Sequence, residues 1–146
     1  MNREILFKAK RIDNGEWVEG SLITGVFCRL GQDIPYIFCP KEADYDCFED
    51  FSEENGIFEV QPESICQYTG LTDKNGQKIW ENDILKANLD ESYPEDIAYI
   101  KIFWNECRFC TNENYSTDIR TLEKWDAEHF QVCGNIFDNA DLLEVE

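Results

Sequence analysis

Apolar and polar residues alternate with a period of two along much of this chain, the spacing of strands that bury one face. Glu4 to Lys10 sets Ile5, Phe7 and Ala9 on one side against Leu6, Lys8 and Lys10 on the other. Asp13-Asn14-Gly15 then supplies turn residues, and Trp17 to Leu22 reads as the returning arm of a hairpin. Ser21 to Arg29 continues as strand with an interruption at Gly25, and Gly31-Gln32-Asp33 reads as the next turn. Ile34 to Cys39 reads as a short strand at a sheet edge, because Pro35 has no N–H to give a ladder and Pro40 follows its end. Gly56 to Gln61 returns to strand, whereas Asn88 to Asp96 is polar, contains Pro94 and reads as a loop. Ile97 to Trp104 is the most regular strand, with Ile100, Ile102 and Trp104 opposing Tyr99, Lys101 and Phe103. Asn105-Glu106 turns it back towards Arg108 to Thr111. In Thr117 to His129, the positions Ile119, Leu122 and Trp125 suit a short helix. Phe130 to Phe137 reads as a closing strand, and Asp138-Asn139 as a cap on a last helical turn over Leu142 and Leu143.

The sharpest turn chemistry lies between Gln67 and Leu85. Asn75 and Gly76 both tolerate positive φ, which a type I′ hairpin turn requires at its central pair; a type I turn closed by a left-handed Gly76 serves equally well. Asp73 reinforces either solution, because its carboxylate reaches the backbone two residues on. Tyr68, Leu71, Ile79, Trp80, Ile84 and Leu85 are the large apolar residues of the two arms, and Glu81-Asn82-Asp83 is a second polar break. Asp73, Asn75, Gly76, Asn82 and Asp83 are therefore read as structural turn residues of a core-building hairpin. A ligand-binding loop carried by that hairpin is the lesser reading.

This stretch, Gln67-Tyr68-Thr69-Gly70-Leu71-Thr72-Asp73-Lys74-Asn75-Gly76 through Ile84-Leu85, resembles the signature of the YopX family of small bacteriophage and prophage proteins. The segments Arg3 to Ala9 with Trp17-Val18-Glu19-Gly20, and Gly134-Asn135-Ile136-Phe137-Asp138-Asn139 with Leu142-Leu143, resemble its two ends. Asn82 stands where glycine is usual; asparagine is the next best residue for a left-handed turn position. The resemblance implies a mainly-β fold with a small antiparallel barrel of SH3-like type, or a curled sheet, and little helix. It implies no catalytic residues.

Composition narrows the picture. The chain has 146 residues, enough for one domain with an appendage: an N-terminal β appendage over 1–60 and the barrel-like core over 61–146, expected as one folding unit. Hydrophobic residues at 42% exclude global disorder, and no apolar run is long enough for a membrane helix. The first residues lack a signal peptide's apolar core, so the expected location is the cytoplasm of a bacterial host. The net charge of −18 argues against direct binding of nucleic-acid phosphates. Acid concentrates between Lys41 and Glu63, where nine carboxylates face one lysine. Glu42, Asp44, Asp46, Glu49, Asp50, Glu53 and Glu54 are the candidate partner surface, set against the blander reading of a solvated insertion. Tyr45, Phe48 and Phe51 fall three apart within it, as a helical face or as pins on a loop.

Chemistry-bearing constellations are few. Seven cysteines without a secretory signal read as reduced thiols, several of them small buried hydrophobes. Cys107 and Cys110 have the Cys-x-x-Cys spacing, and Cys133 with His129 would complete a tetrahedral zinc site. On a strand, however, Cys107 and Cys110 point to opposite faces, so incidental thiols are favoured and no metal or other cofactor is expected. No motif aims a thiol at His129, no glycine-rich phosphate cradle occurs, and the remaining acids do not form an ordered calcium loop. The expected function is that of a non-enzymatic phage or prophage accessory protein that binds a host or phage protein partner. An acidic decoy of DNA that occupies a host nucleic-acid-binding protein is the alternative. Self-association is compatible with either.

Overall fold

The computed structural model describes residues 4–43, 55–88, 92–93, 97–113 and 118–143. The chain divides into two units, Met1–Gln67 and Tyr68–Glu146.

In the first unit β1 (Phe7–Lys10), β2 (Trp17–Arg29), β3 (Gln32–Ala43), β4 (Asn55–Glu59) and the start of β5 (Cys66–Thr72) form an antiparallel array ordered β4-β3-β2-β1-β5. Period-two patterning decides which face is buried: Ala9 pairs with Val18, and both join Ile37, Cys39, Phe58 and Val60 in the core. On the other face of β1, the Lys8 and Lys10 ammonium groups lie 4.7 and 5.5 Å from the Trp17 ring centroid, a cation–π arrangement. Gly20 lets β2 and β3 approach closely, since a Cβ there would overlap the Phe38 carbonyl oxygen.

β3 corrects two expectations. It is a twelve-residue strand between β2 and β4, not a short edge strand. Pro35 is tolerated because its nitrogen lies on the same side as its carbonyl, which accepts the Val60 N–H just beyond the last β3–β4 pair, Tyr36–Glu59. A missing N–H costs little where the ladder ends, and on the other side β2 bulges between the pairs Ile23–Tyr36 and Phe27–Ile34. The β2–β3 turn is Leu30-Gly31, not Gly31 to Asp33, and both residues have positive φ, 53° and 79°.

In the second unit the rest of β5 pairs with β6 (Lys78–Trp80), Tyr68 opposite Trp80. A separate antiparallel sheet contains β7 (Asp83–Asn88), β8 (Ile97–Asn105), β9 (Arg108–Glu113) and β10 (Arg120–Thr121). After a single helical turn and a half, α1 (Lys124–His129), β11 (Gln131–Asn135) adds to the far side of β7, giving the order β10-β9-β8-β7-β11. Leu85, Ala87, Ala98, Ile100 and Ile102 build its core with Ile79, Ala127 and Phe130. Burying each large aliphatic side chain contributes about 1.5–3 kcal/mol, so these positions hold β7 against β8.

Boundaries here differ from the pattern reading. Trp104 does not join the Ile100 and Ile102 face in the core; it is half exposed at the strand end, edge-on to Phe109. The β8–β9 turn is Glu106-Cys107, with φ of 49° and 65°. The segment before His129 splits into β10 and α1, leaving Ile119 and Trp125 exposed, because α1 turns Asp126 and Ala127 inward instead. β11 stops at Asn135, where the Asn135 side chain bends the chain into a turn. The fold is thus mainly β with little helix, and its sheets are antiparallel and open.

Candidate functional site

The signature stretch is built around one buried carboxylate. Asp73 is 6% exposed. Its Oδ1 accepts the N–H groups of Asn75 and Gln77, each at 2.9 Å, and its Oδ2 accepts that of Val132 at 2.8 Å. The loop closes on itself as Asp73 N–H donates to the Gln77 carbonyl (2.7 Å) and Gly76 N–H to the Asp73 carbonyl (3.0 Å). Gly76 sits at φ 83°, the left-handed geometry that glycine adopts without a Cβ penalty. Lys74 N–H donates to the Phe130 carbonyl, so the loop is tied to the start of β11 by both its backbone and its carboxylate. The bond to Asn75 is the local one expected from sequence; the bond to Val132 spans 59 residues and has no sequence signal.

The second polar break works in the same way. Asn82 has φ 71°, donates its N–H to the Ile102 carbonyl and accepts the Ile136 N–H. Asp83 is 2% exposed and accepts the Trp80 N–H at 2.8 Å. At the C-terminal end, Asn135 Oδ1 accepts the N–H groups of Phe137 and Asp138, while Asn139 Oδ1 accepts that of Asn135. Gly134 is required beside it, since a Cβ there would lie 2.6 Å from Asn139 Cγ. These polar residues do backbone work: each carboxylate or amide oxygen satisfies N–H groups that would otherwise be orphaned at a turn.

A cleft of about 430 Å³ borders the Asp73 loop, with Leu71, Thr72 and Lys74 on one side and Lys124, Ala127 and Glu128 of α1 on the other. Lys124 and Glu128 pair across one helical turn at 3.7 Å.

The zinc candidates are placed differently from one another. Cys107 is exposed in the β8–β9 turn, whereas Cys110 is fully buried, its thiol directed to the Asn105 and Arg108 carbonyls. His129 is exposed, stacked on Trp125 at 4.3 Å with Nδ1 on the Trp125 carbonyl. Cys133 is half-buried at the β11 bulge and donates to the Ile84 carbonyl; burial pushes its thiol pKa up, Lys86 partly opposing and Asp83 adding to the effect. Among the described residues no three His, Cys, Asp or Glu side chains are grouped to hold a metal ion.

Of the candidate acidic surface, Glu42 belongs to β3 by its backbone. Asp44, Asp46, Glu49, Asp50, Glu53 and Glu54, with Tyr45, Phe48 and Phe51, lie outside the described residues.

The pattern reading placed strand on both sides of the Leu30-Gly31 turn but gave no sign that the β2–β3 arm is exposed. Thr24 to Asp33 is exposed throughout, including Val26 (55%), Phe27 (45%) and Leu30 (99%). The available signal was Leu30 preceding a turn glycine, where a hairpin favours asparagine or aspartate.

Comparison with protein-family models matches the chain to the model described as YopX protein, over residues 6–144. The chain belongs to the YopX family. The stretch that resembles the family's signature is the Asp73 loop just described. Comparison with curated proteins returns no match. Among solved structures, the chain is similar to the crystal structure of protein EF1440 from Enterococcus faecalis. Identity is 21% and the TM-score 0.55, with 98% of this chain and 100% of that one covered, a likeness of fold. Among the described residues no helix is long and apolar enough to cross a membrane.

Proposed function

We propose that this YopX-family chain is a non-enzymatic protein-binding module, an accessory protein of a phage or prophage acting in the bacterial cytoplasm on a host or phage protein. The observation that carries the reading is the β2–β3 arm, an ordered hairpin that presents Val26, Phe27 and Leu30 to solvent. Large apolar side chains left in solvent on a paired hairpin are available to a partner. The signature polar residues support it from the other direction, since Asp73, Asp83 and Asn135 engage their oxygens with backbone N–H groups. The second reading, a decoy for a nucleic-acid-binding protein, is favoured by the net charge of −18.

Affinity capture with the full chain at low and high salt, followed by calorimetry on the purified partner, tests both. A protein bound at both salt concentrations supports an apolar interface; a DNA-binding protein lost at high salt and displaced by DNA supports the decoy. Failure to bind any protein, or turnover of a substrate by the purified chain, would overturn the module.

A further inference from the structure

Leu30 combines two unfavourable features. It is 99% exposed, and it has φ 53° in the first position of a two-residue turn whose partner Gly31 has φ 79°. A left-handed backbone is disfavoured for a residue with a γ-branched apolar side chain, and this turn geometry selects asparagine, aspartate or glycine. Leucine in that place therefore gains nothing from local geometry and nothing from burial in the chain itself.

The tip is also held in shape. The pairs Phe27–Ile34, Cys28–Asp33 and Arg29–Gln32 run up to the turn. The bulge at Gly25 is closed by its N–H donating to Asp33 Oδ1 at 2.8 Å. Arg29 reaches Glu59 of β4 at 3.2 Å, and the Phe27 ring packs edge-on to Tyr36. An apolar group on a pre-organised tip loses little further entropy when it docks.

Charge indicates what it docks into. The sequence holds 31 acidic residues against 13 lysines and arginines, so a second copy of net charge −18 is repelled. The surface thus complements a basic partner, not an acidic one.

We propose that the β2–β3 tip is a docking plug: Leu30, with Val26 and Phe27 behind it, enters an apolar pocket on a partner protein whose surface around that pocket is basic. The inference rests on the reading of the chain as a protein-binding module and assigns the contact within it.

The test places a photo-crosslinking side chain at the tip, Leu30→p-benzoylphenylalanine, in the full chain expressed in the cell that carries its gene. The expected result is one crosslinked protein, joined through a peptide of apolar residues flanked by lysine or arginine. Leu30→Asn, checked to melt no lower than the parent, should weaken binding of that purified protein about tenfold or more, as for a buried anchor, while Leu30→Met retains it. A partner bound equally well by Leu30→Asn overturns the plug and leaves the module standing; no partner at all removes both. Crosslinking to a second copy, a pocket with an acidic border, or Leu30-dependent sedimentation with phospholipid vesicles would each overturn the proposal.

Discussion

The Leu30-Gly31 turn of the first unit and the Asp73–Gln77 turn of the second both use positive φ, yet they meet it in opposite ways. In the second unit glycine takes the left-handed position at Gly76, and a buried carboxylate collects three N–H groups around it. In the first, a leucine takes the left-handed position and its side chain stays in water. One turn is shaped by the demands of its own fold. The other sets those demands aside, and a residue that serves neither conformation nor burial points to a use outside the chain.

The largest expected effect comes from breaking the satisfied turn. Asp73→Ala leaves three N–H groups near a buried position without their acceptor, and at about 1–3 kcal/mol for each lost charged hydrogen bond, destabilisation of about 4 kcal/mol is expected. Urea unfolding followed by tryptophan fluorescence checks it; a loss below about 1 kcal/mol would show that water replaces the carboxylate without cost.

Gly76→Val should come next. A β-branched side chain at φ 83° is strained wherever there is room, and nothing lies within 4 Å of a Cβ at Gly76, so the cost is conformational and not steric packing. About 2 kcal/mol is expected, read as a lowered melting temperature, with Gly76→Asn recovering most of it.

Asn82→Leu transplants the anomaly of Leu30 into the second unit, at φ 71°. A cost of about 1–2 kcal/mol from the backbone strain is expected, with Asn82→Gly the milder substitution. The reciprocal change, Leu30→Asn, should stabilise the first unit by about 1 kcal/mol, since asparagine suits the turn and removes exposed apolar surface. If paired thermal melts show Leu30→Asn destabilising, Leu30 has an intramolecular role and the contrast between the turns fails.

The smallest effect concerns Cys133, next to the Val132 that Asp73 holds. Burial raises its pKa in the folded chain, so the folded state holds that proton more tightly than the unfolded one. Its contribution is fully present below the pKa of an unfolded cysteine and is lost as pH rises through the raised value. Unfolding midpoints measured at neutral and at alkaline pH should therefore fall less for Cys133→Ala than for the parent. Identical pH slopes would mean that the thiol is solvated.

Much of the architecture was legible because strands and turns are local. Period-two alternation placed β1, β2 and β8, and Asn75-Gly76, Asp13-Asn14-Gly15 and Asn82 announced their turns through residues that tolerate the required φ. Pro35 misled because a proline in a strand is judged without knowing that its missing N–H falls where the β3–β4 ladder ends. The short helix before Phe130 was legible in part: α1 covers Lys124–His129 and Leu122 packs on the core, but Ile119 and Trp125 are exposed while Asp126 and Ala127 are buried. Ile34 to Cys39 and Trp104 show the same limit, since edge or centre, exposed or buried, are relations between segments.

Local preference is enough to specify a mainly-β chain of strongly acidic character, the turn residues of its centre and its membership of a family, because backbone preference, charge and motif order are properties of adjacent residues. Packing sets the rest: that Asp73 reaches Val132, that β3 lies between two strands, that Cys110 is buried while Cys107 is not, and that Leu30 stands in solvent. Each of these depends on which distant segment occupies the neighbouring space, and that is settled by the competition of apolar surfaces for burial in each unit's core, not by any residue's own preference.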